Sequence, residues 1–147
     1  MADGAKITVS VFIDNSPEVL AALPNAIKRA LWAIGAKAEG YAKRSPPCPV
    51  DTGYLRNSIT FAVGGSAPNE TSYKADRPDK TGVVRSGSYG GTAPAGNYVA
   101  VGSGVEYAAA QELGSSRGIQ PHHFIKDAVA NHTSEYKETV RDSLENA

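Results

Sequence analysis

The stretch P-V-D-T-G-Y-L-R-N-S-I at residues 49–59 constrains this chain most, because a helical pattern enters it and a strand pattern leaves it. Pro49 fixes φ and disfavours helix at the residue before it, so the preceding helix must end there. Asp51 or Thr52 can cap a new short turn through a side-chain oxygen. Gly53 permits an unusual φ or the close approach of another backbone. The stretch therefore predicts a structural corner between a helix and a sheet.

Hydrophobic periodicity predicts the remaining elements. Apolar and polar residues alternate near the N-terminus, which is typical of a half-buried strand. Two later segments repeat apolar residues every three or four positions, which indicates amphipathic helices, and Pro24 inside the first predicts a kink or a restart. The predicted elements are a strand at 6–13, a long helix at 17–44, the corner at 49–59, a sheet over 59–102, a short helix at 105–113 and a C-terminal helix at 122–144.

The length of 147 residues predicts a single domain, covering 1–147. Within the sheet region, short apolar runs predict strands at 59–63, 82–87 and 97–102, separated by long loops at 65–81 and 87–96. Loops of this length in a compact domain are usually functional or reach other chains. Two helices flanking a small, mostly antiparallel sheet make an α+β fold.

Composition argues against several classes of protein. The net charge is zero, unlike the concentrated basic surface of most nucleic-acid-binding domains. Residues 17–44 are net basic and residues 121–147 net acidic, so these segments are either solvated separately or meet within or between subunits. The single cysteine, Cys48, excludes an internal disulfide and fits a reducing compartment. We expect no membrane span and no secretory signal.

The sequence shows no pattern typical of catalysis, metal binding or cofactor binding. His122 and His123 are adjacent and would point apart on a regular element, and His132 has no acid at ligand spacing. Glycine-rich nucleotide motifs and a nucleophile elbow are absent from the sequence. We therefore expect no enzyme activity, no catalytic residue, no metal and no cofactor. Glu112 invites an ion pair with Arg56 or another base.

Three segments carry a family resemblance: C-P-V-D-T-G-Y-L-R-N-S-I at 48–59, Y-A-A-A-Q-E-L-G-S at 107–115 and Q-P-H-H-F-I-K-D-A at 120–128. They resemble the phage head–tail connection proteins of the HK97 gp10-like family. That family has A-P-V-D-T-G-x-L-R-x-S-I after an Ala-rich helix, then a small sheet, Y-A-x-x-x-E-x-G-T, P-x-P-F and a closing helix. The matching positions are Pro49, Asp51, Thr52, Gly53, Leu55, Arg56, Ser58, Tyr107, Glu112, Gly114, Pro121 and Phe124.

The resemblance runs in order from residue 17 to about residue 130, with departures in the second and third segments. Ser115 stands where the family has Thr, and Asp127 stands where Pro is common. His122 and His123 precede the aromatic residue of the third segment. The first segment is the most specific of the three.

What the resemblance implies is a structural protein of a bacteriophage virion, assembled in the host cytoplasm. Such tail-completion or neck proteins form a ring that joins the tail to the head-closure ring. The implied partners are other copies of itself, with six-fold symmetry favoured, the head-closure or connector protein, and the tail terminator or tail tube protein. DNA would pass through the channel only as cargo, and no membrane is involved. The matching residues would serve assembly.

Two alternatives remain open at this point. A tail terminator or a minor tail protein would have a similar fold and a different position in the virion. A small nucleic-acid-binding module would use the basic side chains of Lys28, Arg29, Lys43, Arg44 and Arg56. DNA binding with a steep salt dependence would favour the second alternative.

Overall fold

The computed structural model describes the backbone of residues 6–10 and all atoms of residues 24–145. Helices and a small antiparallel β region pack together, which confirms the predicted α+β class. No helix in these residues is long and apolar enough to cross a membrane. The elements are β1 (Lys6–Ser10), α1 (Pro24–Ala42), α2 (Tyr54–Ser58), β2 (Thr60–Val63), β3 (Ser72–Lys74), β4 (Ser86–Ser88), β5 (Tyr98–Gly102), α3 (Ala108–Leu113), α4 (Phe124–Ala130) and α5 (Thr133–Glu145).

Strand β5 is the centre of the larger sheet, with the order β1-β5-β2. Both neighbours run antiparallel to it, and Val101 lies opposite Ile7 on one side and Phe61 on the other. Val99 and Val101 are buried while Ala100 between them is half-buried, as the two-residue period of a strand requires. Strands β3 and β4 form a separate antiparallel ribbon.

Helix α1 covers the sheet and also contacts α4 and α5. A Cβ atom at Gly35 would overlap the ring of Phe61, so the helix backbone lies directly on that ring. Trp32 meets the same ring edge-on, with centroids 4.8 Å apart, yet remains 46% exposed. Gly35 therefore sets how closely the helix approaches the sheet.

The described bounds differ from the predicted helix at 17–44 and strand at 6–13. Helix α1 begins at Pro24 and ends at Ala42, and strand β1 ends at Ser10. The predicted parts at 11–13 and 17–23 lie outside the described residues. The predicted kink or restart at Pro24 therefore stays a prediction.

The sheet region departs from prediction in the loop at 65–81. That loop contains β3, and the strand predicted at 82–87 is wrong in extent because strand structure covers only Ser86–Ser88. Both strands have three residues with exposed polar side chains at each end. Such short, polar strands have too few apolar residues to show the alternation that predicts a strand from sequence.

The single C-terminal helix predicted at 122–144 is wrong, because two helices occupy it. Helix α4 ends at Ala130, and the Thr133 hydroxyl donates to the Ala130 carbonyl at 3.2 Å. In the turn between them, the His132 ring stacks on Tyr41 with centroids 3.5 Å apart. Asn, His and Thr are all weak helix formers, so this tertiary contact decides the local structure.

Charges on α1 and α5 meet within one chain. Lys37 Nζ lies 2.9 Å from Thr139 Oγ1 and 3.4 Å from a carboxylate oxygen of Glu135. The Tyr41 hydroxyl donates to the same carboxylate at 2.5 Å. This hydrogen bond lowers the pKa of Glu135 most, and the hydrogen bond from Lys37 lowers it further. Of the two earlier interpretations, contact between the basic and acidic segments is therefore the one observed here.

Candidate functional site

The corner at 49–59 turns the chain through Gly53, whose φ is +87°. Gly53 itself is the N-cap residue of α2, so the predicted cap at Asp51 or Thr52 is wrong. A positive φ is strained for a residue with a Cβ atom, which explains glycine at this position. Thr52 Oγ1 still accepts from the Tyr54 N–H at 3.3 Å, and the Gly53 carbonyl accepts from Asn57 N at 2.9 Å.

A second β region, the arm, consists of β3, β4 and the loop between them, residues 72–88. Asp79 closes its tip, because Oδ1 accepts from the N–H groups of Thr81 at 2.8 Å and Val83 at 3.1 Å. These bonds lower the pKa of the Asp79 carboxyl, with the Thr81 side chain contributing most. Val83 and Val84 are 54% and 48% exposed at the tip. The arm is thus an ordered structure that presents apolar side chains.

The corner holds the loop of the arm, just after β3, through backbone and side-chain bonds. The Thr52 carbonyl accepts from Asp76 N at 2.8 Å and from Arg77 N at 3.1 Å. The Asp76 carboxylate accepts from Asn57 Nδ2 at 3.0 Å and from Arg56 Nη2 at 2.9 Å. These two bonds lower the pKa of Asp76. Motif residues therefore act as an anchor for the arm.

Aromatic rings support the inner face of the arm. The rings of Tyr54, Tyr73 and Tyr89 follow one another at centroid distances of 5.5 and 5.0 Å. The Arg85 guanidinium lies 4.4 Å from the centroid of Tyr54 and pairs with Glu106 at 2.7 Å. Burial raises the pKa of Tyr73 well above its usual range, so its hydroxyl stays neutral. This packing holds the arm in place against the corner and the residues before α3.

Ser58 connects the corner to the end of β5 through a buried hydroxyl pair. Ser58 Oγ donates to the Leu55 carbonyl at 2.6 Å and lies 2.6 Å from Ser103 Oγ. Ser103 must therefore donate to Ser58, and its oxygen accepts from Val105 N at 3.1 Å. The Tyr89 hydroxyl donates to the Ser58 carbonyl at 2.6 Å. Sequence reasoning missed Ser103 and Tyr89, because their only signal is their position beside strand ends.

Glu112 joins the second and third motif segments. Its side chain is buried, and the two carboxylate oxygens accept from Ile125 N at 2.8 Å and Lys126 N at 2.9 Å. These N–H groups belong to the first turn of α4, where intrahelical acceptors are missing. The predicted ion pair with Arg56 is wrong, since Arg56 pairs with Asp76. Glu112 is a helix cap supplied from a neighbouring element.

The other predicted site residues occupy structural positions. Leu55 and Phe124 are buried in the core, 4% and 0% exposed. Gly114 has φ +80°, and a Cβ there would lie 2.9 Å from the Ile119 carbonyl oxygen and 3.0 Å from Pro121 Cδ. Pro121 itself is exposed. Gly114 therefore lets the loop after α3 fold back tightly.

Pro49 and Tyr107 line one groove together with residues 51–55, so the first and second segments meet there. Its volume is about 400 Å³, and its far wall is formed by Asp79 and Arg85 of the arm. Burial raises the pKa of Tyr107. Asp51 is exposed at the rim, where its carbonyl accepts from the Arg77 guanidinium. The groove is a surface bounded by motif residues and the loop of the arm.

The described residues offer little for covalent or metal chemistry. Cys48 is fully buried, and burial raises the pKa of its thiol to about 11. At neutral pH the group is therefore protonated and a poor nucleophile. Across residues 24–145, His, Cys, Asp and Glu side chains form no group of three that could hold a metal ion.

Fold and site together define an α+β protein in which the first sequence segment holds an ordered arm and Glu112 joins the second segment to the third. Comparison with models of known protein families, with curated proteins and with solved structures found no match in any of the three.

Proposed function

We propose that this chain is a structural virion protein of a tailed bacteriophage. It would act as a tail-completion or neck protein whose ring joins the tail to the head-closure ring. One observation carries the proposal: residues of the D-T-G-x-L-R-x-S motif anchor the arm through Thr52, Arg56 and Asp76. A motif that holds a segment with exposed apolar side chains suits a protein that assembles with other subunits.

The arm supplies a means of contacting a neighbour. Val83 and Val84 are exposed at its tip, and burying one such side chain contributes about 1.5–3 kcal/mol. When one surface of a subunit meets a different surface of the next, repetition closes into a ring if the rotation permits. Six-fold symmetry is the proposed closure, and the arms would contact the head-closure or tail rings.

Two of the alternatives, a tail terminator and a minor tail protein, would have a similar fold and a different position in the virion. A tail terminator would lie at the head-proximal end of the tail tube, and a minor tail protein would lie elsewhere along the tail. The arm and corner described above suit all three roles. Position in a reconstructed particle distinguishes them.

The basic side chains give the nucleic-acid-binding alternative less support. Lys43 lies 3.2 Å from Glu39 and 3.3 Å from Glu70, and Arg56 is paired with Asp76. Lys28 lies about 22 Å along α1 from Lys43, at 1.5 Å per residue. Pairing of Lys43 and Arg56 with carboxylates leaves fewer of these charges free to bind a phosphate backbone.

Light scattering coupled to size exclusion, followed by electron microscopy of purified particles, tests the proposal. We expect a ring-sized species and density for the chain at the neck. The paired substitution Val83→Asp and Val84→Asp should prevent incorporation into particles while preserving the circular dichroism spectrum. Ser134→Asp, an exposed change in the first turn of α5 and outside the arm and the three segments, is the matched control. A soluble monomer that is absent from particles would contradict the proposal.

A further inference from the structure

The outer edge of β4 presents unpaired backbone groups. In an antiparallel ribbon, alternate residues direct their N–H and C=O groups toward the partner strand and away from it. Tyr89 N donates to the Thr71 carbonyl at 2.8 Å, which identifies the bonded pairs between β3 and β4. Ser86 and Ser88 therefore direct both groups outward. Within residues 24–145, no hydrogen-bond partner meets these four groups.

This edge lacks the cover that the edge of β2 has. Ser86 and Ser88 are exposed, and the strand carries no charge, proline or bulge. At the edge of β2, by contrast, Asn69 N donates to the Phe61 carbonyl at 2.8 Å. Proteins usually cover or charge an exposed edge because it accepts another strand. The open edge of β4 is thus ready for strand addition.

We propose that two copies of this chain associate through their β4 edges around a two-fold axis. The result is a continuous four-stranded antiparallel sheet in the order β3-β4-β4-β3. With Gly87 opposite Gly87 of the second copy, each Ser86 faces a Ser88, and the outward groups exchange four hydrogen bonds. An edge that pairs with itself in this way is self-complementary, as a two-fold contact requires.

Side chains beyond the strand fit the same register. It places the exposed Val84 opposite Gly90 of the second copy. A Cβ built on Gly90 has no atom within 4 Å, so space for the valine is present. The contact involves residues 83–91 of each copy, fewer than the roughly 20–30 residues a side of a standard interface. The dimer is therefore weak and concentration-dependent.

This dimer does not depend on the proposed role in a virion. A ring is built from contacts between two different surfaces, whereas the β4 contact uses one surface twice. A chain that fails to enter particles could still dimerise through β4, and a neck protein could lack the β4 dimer. The two proposals fail separately.

Cysteine cross-linking tests the register. Ser86→Cys and Ser88→Cys chains, mixed and oxidised, should form a disulfide-linked dimer because bonded pairs place Cα atoms about 5.5 Å apart. Either variant alone should cross-link at least about tenfold less, since its cysteines would sit on diagonal positions about 7–8 Å apart. Equal cross-linking in the mixture and in the separate variants would overturn the proposal.

A proline substitution provides the second test. Ser88→Pro removes only an outward N–H, so the ribbon should stay folded while the dissociation constant rises about tenfold. Ser72→Pro is the matched control, because Ser72 lies directly opposite Ser88 and directs its N–H to the other edge. Sedimentation over a concentration series measures both. A wild-type chain that stays monomeric throughout, or a Ser88→Pro chain that associates like the wild type, would overturn the proposal.

Discussion

The carboxylate of Asp76 occupies the space where a side chain at Gly53 would have to lie. A Cβ built on Gly53 overlaps Asp76 Oδ2, the oxygen that accepts from Arg56. The turn of the corner and the attachment of the arm thus depend on the same few atoms. Glycine at this position satisfies both requirements.

Gly53→Ala should destabilise the chain more than Gly82→Ala. The two glycines have φ values of +87° and +83°, but a Cβ at Gly82 meets nothing within 4 Å. Positive φ alone costs about 1–2 kcal/mol, which both variants share. Displacement of Asp76 adds to the cost at Gly53 only. Urea unfolding measures the difference, and equal losses would show that the overlap is relieved without cost.

In the proposed virion role, Gly53→Val should leave helix content largely intact and block particle assembly. The substitution misdirects the arm without removing any core side chain. Circular dichroism and an infectivity assay measure the two effects. Normal yields of infectious particles from this variant would show that the corner does not control assembly.

Asp76 should contribute to the acid sensitivity of the fold. Its pKa is lowered from 3.8 in the folded chain, by Asn57 first and then Arg56. The contribution is therefore complete above the unfolded-state pKa and is lost as the pH falls through the lower folded-state value. Asp76→Asn should show a smaller loss of stability below about pH 4 than the wild type. Parallel curves for the two proteins across that range would contradict the assignment.

Glu112→Ala should be among the most destabilising single substitutions of a polar residue. It leaves the N–H groups of Ile125 and Lys126 unpaired in the fold, at a cost of about 3 kcal/mol. The matched control is Glu106→Ala, which removes an exposed ion pair with Arg85 and should cost at most about 1 kcal/mol. Chemical denaturation measures both. Similar losses would mean that α4 needs no cap from Glu112.

Cys48 should react with thiol reagents only when the chain unfolds. The side chain is fully buried, and its raised pKa leaves little thiolate at pH 8. A Ser115→Cys variant places an exposed thiol in the same chain, and its labelling rate serves as the reference for an accessible cysteine. Labelling of Cys48 at a rate near that of the reference in native buffer would contradict its burial.

The elements with strong apolar periods were predictable from the sequence, and those made by tertiary contacts were not. α1 falls within the predicted helix at 17–44 because Ile27, Leu31 and Ile34 repeat at helical spacing. Strand β3 has one central aromatic, Tyr73, whose burial depends on Tyr54 and Tyr89. A strand of three residues is too short to show an alternating pattern that would predict this burial.

The candidate site was predictable in its residues and not in its bonds. The corner and Glu112 were both identified, yet Glu112 was paired with the wrong group. Sequence spacing favours side-chain partners of opposite charge, whereas the observed acceptors serve backbone N–H groups 13 and 14 residues away. Nothing in the sequence distinguishes Asp76 from the other charged residues of its polar loop. The role of Asp76 depends on how the chain folds back to bring its carboxylate beside Gly53.

The contact between Gly35 and Phe61 has a consequence for how this sequence can evolve. With the ring lying on the helix backbone, any larger residue at position 35 pushes the helix off the sheet. A smaller residue at position 61 would leave a space that a larger residue at 35 could fill. Among descendants of this chain, the two positions should therefore change together, and a library randomised at both should return folded pairs with matched summed volume.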